Sequence, residues 1–276
     1  LIFGAVEQVN VSLSTQACSS ALSQIKPLYD SINTNNQIRL ATAASYGCFA
    51  KVNIFQIFSD LASASGLGGS GLWAMFARLF PSVASPDDKI PTSAGLGIDA
   101  AMSAVYPGTL FVPALKINST TNNPGSLIFT DRIRDSNSYL TFLSMSLMGS
   151  LLSRDGKPDT TNYVKTVPLP WQTAATSVGN GCAFASGLLN FVDGLDAISE
   201  ASPANLKSSY ATISSFLTSA VNTACGIGCS AICLGASACT SCPASLRNRL
   251  SCTGATTDEN SCAAAGLAAF VSASWI

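Results

Sequence analysis

The residues that could do chemistry in this chain are few, and their spacing defines what that chemistry would be. Asp193, Asp196 and Glu200 fall on one face of a helical pattern. Paired carboxylates can serve as acid and base in glycoside hydrolysis, or ligate calcium. In a chain so poor in charge, a solvated stripe is the ordinary expectation for them. Ser23-x-x-Lys26 has the spacing of a Ser–Lys nucleophile pair, but serine is so abundant that such a match arises by chance. Cys239-x-x-Cys242 offers two thiolates to a metal, yet a zinc site wants four ligands and no second pair has this spacing. Gly66-x-Gly68-x-x-Gly71 matches a dinucleotide fingerprint in the wrong context, because it follows a helical pattern rather than a strand. Histidine is absent, which excludes Ser-His-Asp and Cys-His arrangements. No catalytic residue, metal site or cofactor is therefore assigned, and the chain is not read as an enzyme.

The ten cysteines carry more information. An even number at this density points to disulfides in an oxidising compartment. The chain opens on Leu1 without a charged and apolar leader, so the expectation is a processed, secreted or cell-surface protein; the periplasm is the other compartment that fits. Cys18 and Cys48 lie symmetrically about the polar turn Ser31-Ile32-Asn33-Thr34-Asn35-Asn36. A staple so placed closes an antiparallel helical hairpin. Cys182 and Cys225 repeat the arrangement about Ala201-Ser202-Pro203, which predicts a second stapled hairpin. Cys225, Cys229 and Cys233 follow at i, i+4 and i+8. Neighbours on a helix at that spacing have Cβ atoms about 5–6 Å apart, too far for a disulfide, so each must bond elsewhere. With Cys239, Cys242, Cys252 and Cys262 they form a cysteine-dense C-terminal segment whose connectivity the sequence leaves open.

These residues must be positioned by helices. Residues 14–32 and 37–65 carry helical periodicity; in the second, Leu40, Ala44, Cys48, Val52, Phe55, Phe58 and Ala62 draw one apolar stripe. A short apolar helix, Leu72–Phe80, ends at Pro81. Helices are also expected over 96–105, 139–152, 172–200 and 204–224. Thr109–Ile117 and Leu127–Ile133, separated by Asn122-Asn123-Pro124-Gly125, read as a small β-hairpin over about 109–133. The loop-like Ser153–Thr161 divides an N-terminal region, 1–153, from a disulfide-rich C-terminal region, 162–276; one continuous domain is the alternative. The fold class is thus mainly α, with disulfide-stapled antiparallel helical hairpins, a small β-hairpin and a cysteine-dense end.

Charged residues make up 11% of the chain and the net charge is −1. That balance excludes a nucleic-acid partner, which needs clustered Lys and Arg. It also removes self-repulsion and favours association. From Ser208 to Leu246 there is no charge at all, but the run is built from small residues, so a packed internal helix is expected rather than a membrane span. Leu1, Ile2, Phe3, Phe270, Val271, Trp275 and Ile276 make both termini apolar, so they are candidates for burial, either in their own domain or in a neighbouring copy. The sequons Asn10-Val11-Ser12 and Asn118-Ser119-Thr120 are noted.

These features point first to a structural subunit that associates with itself into an extracellular fibre, sheath or coat. The alternative is a carrier of lipid or another apolar ligand, lined by Trp73, Phe76, Phe142 and Met145. A carboxylate-dependent enzyme and a membrane-active protein come last.

Overall fold

The computed structural model describes residues 2–32, 34–53, Trp73, Phe76, Ala77, Phe80, 89–105, 131–153, 156–158, 163–165, 178–201, 204–232, 241–255 and 257–273. Among these, eight α-helices dominate: α1 (Ile2–Ser14), α2 (Cys18–Ser31), α3 (Asn36–Phe49), α4 (Lys89–Val105), α5 (Asp131–Leu152), α6 (Val178–Ala201), α7 (Ala204–Ile232) and α8 (Glu259–Ala273).

The N-terminal hairpin forms as its sequence predicts. Asn35 accepts hydrogen bonds on its side chain from the backbone amides of Gln37 and Ile38, which starts α3. The Cys18–Cys48 disulfide then ties the first turn of α2 to the end of α3, with their Cα atoms 5.5 Å apart. Helix α1, which lies ahead of the periodic stretches, packs on this hairpin. Val9 is fully buried with Ala21, Ile25 and Ile38, and Ile2, Val6 and Leu13 pack against them. The stripe of Ile2, Val6, Val9 and Leu13 has helical spacing, but Gly4 and the β-branched valines lower local helix propensity and mask it. Helix α3 ends at Phe49, well short of 65; residues beyond Asn53 in that stretch lie outside the described set, as do the glycines at 66–71.

The larger core centres on α5 and α6. Ser136, Asn137 and residues 140–153 are buried, and so are residues 184–195 where their side chains are described. Apolar residues on every side of a helix require neighbours on every side. Here α4, α7 and α8 contribute to one hydrophobic cluster that also takes in Trp73, Phe76 and Phe80. This cluster runs from Ala43 to Val271, so the core is continuous across the expected boundary near 153–162.

The β-hairpin over 109–133 is not supported. Residues 109–130 lie outside the described set, and Asp131–Ile133 begin α5. A strand over Leu127–Ile133 fails at that end because the apolar pattern continues with helical rather than alternating period. A short antiparallel pair occurs instead at β1 (Gly156–Pro158) and β2 (Tyr163–Lys165), within and just after the expected loop.

The second staple also differs. Cys182 bonds to Cys252 and Cys225 to Cys242, so the expected Cys182–Cys225 bond is absent. Equal distance from a turn sets two residues at the same level along a helical hairpin; it does not turn their side chains toward each other. Cys229 and Cys262 are disulfide-bonded as well. Cys233 and Cys239 lie outside the described residues. Among the described residues, no helix is long and apolar enough to cross a membrane.

Candidate functional site

Two of the C-terminal disulfides converge on one segment, Ser241–Cys252, which contains a 3-10 turn at Ala244–Arg247. This strap lies across the helices and is held at both ends: Cys242 to α7 through Cys225, and Cys252 to α6 through Cys182. Between them Leu246 is fully buried in the core. Asn260 of α8 braces both halves, accepting from the Ser245 hydroxyl at 2.8 Å and donating to the Ser251 carbonyl at 3.3 Å. The Asn222 side chain on α7 accepts from the Cys242 amide at 3.3 Å.

Two arginines reach inward from the strap. Arg247 donates through Nε to Asp193 Oδ2 at 2.5 Å and through Nη2 to Asp193 Oδ1 at 3.2 Å. Such a two-point guanidinium–carboxylate fork is strong and directional. The Asp193 side chain is only 3% exposed. The backbone of the same arginine is gripped as well: its carbonyl accepts from Ser186 Oγ at 2.5 Å and Asn190 Nδ2 at 3.0 Å. Helix α6 therefore presents Ser186, Asn190 and Asp193 as a slot that holds one arginyl residue by side chain and main chain together. Asn190 Oδ1 is buried without a hydrogen-bond partner among the described residues.

Arg249 forms a second, looser pair with Asp99 of α4, Nε to Oδ2 at 3.3 Å. Gly95, one turn before Asp99, makes room for it: a Cβ there would sit 2.6 Å from Arg249 Cδ. Burial pushes the Asp99 carboxyl above its ordinary range, and Arg249 only partly offsets that.

The expectation of a solvated acidic stripe at Asp193, Asp196 and Glu200 is thus corrected at its first member. Asp193 lies on the inward face of α6, so burial required a cation, and the strap supplies it. Asp196 and Glu200 belong to α6 by backbone; their side chains lie outside the described set. The Ser–Lys pair does not form: Ser23 donates to the Ser20 carbonyl and Lys26 pairs with Asp30 at 2.6 Å. A thiolate metal site at Cys239-x-x-Cys242 is overturned by the Cys225–Cys242 bond. The carrier residues Trp73, Phe76, Phe142 and Met145 are all buried in the core. Trp73 meets Phe184 and Phe270 edge-on, and Phe76 meets Phe191.

Of the apolar termini, Val271 is fully buried in its own chain and Phe270 packs against the same core. Ile2 packs on the N-terminal hairpin, and Phe3 stays 67% exposed. Leu1, Trp275 and Ile276 lie outside the described residues.

No family model, curated protein or solved structure matches this chain. The strap and its slot are legible only from the geometry. The sequence signal that could have found them is the pair of arginines, Arg247 and Arg249, set between Cys242 and Cys252 at the end of a long uncharged run.

Proposed function

We propose that this protein is a structural subunit that associates with copies of itself in an extracellular assembly. The observation that carries the reading is where the chain spends its few charges. Asp193, Arg247, Asp99 and Arg249 are used up inside the fold, in a chain with 11% charged residues. Surfaces left with little charge repel each other weakly and associate readily. Phe3 and Val11, 67% and 66% exposed on α1, add apolar area outside the core. The disulfides suit a durable subunit outside the reducing cytosol.

Negative-stain electron microscopy of the native, non-reduced protein tests this, with and without reductant. Ordered filaments, sheets or rings are expected. Dispersed single particles at high protein concentration and native ionic strength would overturn the proposal. No specific observation favours the lipid-carrier reading.

A further inference from the structure

We infer that the Ser241–Cys252 strap is a latch that a dithiol can open while the helical body stays folded. Opening it uncovers the arginyl slot on α6. The inference does not depend on the assembly reading.

Three observations carry it. First, the bonds that close the latch are asymmetric. On the helix side Cys182 and Cys225 are buried, whereas on the strap side Cys242 and Cys252 are partly exposed. A thiolate arriving from solvent meets the strap-side sulfur first. Second, apart from Leu246 and the two cystines, what holds the strap is polar: the two arginine pairs, the Ser186 and Asn190 grip on the Arg247 carbonyl, and the Asn260 brace. Water can replace each of these once the strap lifts. Third, closure leaves Asn190 Oδ1 buried and unpaired among the described residues, a cost that hydration of the open slot relieves. The helices beneath have their own cohesion. Gly228 of α7 and Gly266 of α8 bring two backbones into direct contact, and α5 and α6 are buried in the common core.

The chemistry is thiol–disulfide exchange. A dithiol thiolate attacks the Cys252 sulfur and expels Cys182 as a thiolate, which takes up a proton. The second thiol of the reagent then displaces Cys252 from the mixed disulfide. The protein gains two electrons and two protons, and the reagent leaves as a cyclic disulfide. The same exchange at Cys242 frees Cys225.

Trypsin reads the latch directly, because it cleaves after Arg247 and Arg249. The native protein is treated with dithiothreitol under non-denaturing conditions. Thiols are counted by mass spectrometry after alkylation, cleavage is followed at both arginines, and helicity is followed by circular dichroism. The expected result is reduction of both strap bonds and cleavage at Arg247 and Arg249 faster by at least about tenfold, with helicity retained. Any of three outcomes overturns the inference: the two bonds resist the dithiol, cleavage is not accelerated after they are reduced, or helicity is lost together with them. A Cys242→Ser/Cys252→Ser variant provides a reagent-free check. If it folds, it must be cleaved at the same arginines without dithiothreitol; if it does not fold, the reduction experiment still decides.

Discussion

The N-terminal hairpin and the C-terminal strap are both stapled by disulfides, but they solve different problems. In the hairpin, the staple joins two helices already adjacent through a short turn, 30 residues apart in sequence. Its small core is apolar, and its ion pair, Lys26–Asp30, sits at the surface with side chains 44% and 56% exposed. The strap is joined to α6 across 70 residues and carries its ion pairs inward. Local geometry closes the first; only the assembled core gives the second anything to close on. Each region can be broken in a way that spares the other.

The largest effect is expected at Arg247. Removing it as Arg247→Ala leaves the Asp193 carboxylate buried without its guanidinium, at a cost of about 3–5 kcal/mol by chemical denaturation of the oxidised protein. A loss below about 1 kcal/mol would show that Asp193 finds water or another partner and that the pair is not a structural lock. Removing the Cys182–Cys252 bond, by substituting both with alanine, is expected to cost about 4 kcal/mol against about 3.5 kcal/mol for Cys18 and Cys48, because it closes the longer loop. Equal or reversed losses would mean that strain or residual structure in the unfolded chain outweighs loop length.

Gly228→Ala tests whether the C-terminal region depends on direct backbone contact. A Cβ at this position would collide with the Cys262 carbonyl and the Gly266 backbone. An increase of this kind in a packed crossing costs about 1–3 kcal/mol. The same change at Gly4, where a Cβ meets nothing within 4 Å, is expected to leave stability unchanged or slightly raised.

Asp99 sharpens the contrast within the strap itself. Its folded carboxyl titrates above the ordinary value because of burial. Ionised Asp99 therefore carries a folding cost that is fully present above the folded pKa. That cost is relieved as pH falls through the folded pKa toward the unfolded one. Asp99→Asn is expected to remove this contribution to the pH dependence and to cost little stability at neutral pH, measured by thermal melts from about pH 4 to about pH 8. An Asn variant as damaging as Arg247→Ala would show that the two pairs are equivalent. The smallest effect belongs to the hairpin: Lys26→Ala removes an exposed i, i+4 pair and should cost no more than about 0.5 kcal/mol.

The sequence was informative wherever a signal was local. The polar turn at 31–36 and the symmetric Cys18–Cys48 staple depend on residues within a few turns of one another. It failed at α1, where Gly4 and the valines weakened a stripe that only packing against Ala21, Ile25 and Ile38 rewards. It also failed for Asp193. On a helical wheel this residue shares a face with Asp196 and Glu200, but no wheel shows that α6 is enclosed on that side.

What the sequence determined by itself was a mainly helical chain, closed by disulfides and poor in charge. Helix period, turn chemistry and cysteine count are properties of short segments and of composition, so they survive without a fold. The tertiary structure decided the partners: Cys182 with Cys252, Cys225 with Cys242, Asp193 with Arg247 and Asp99 with Arg249. Those choices follow from which helix faces meet. The burial of Leu246 and the Cys182–Cys252 bond seat the strap against α6, and no spacing along the chain encodes that encounter.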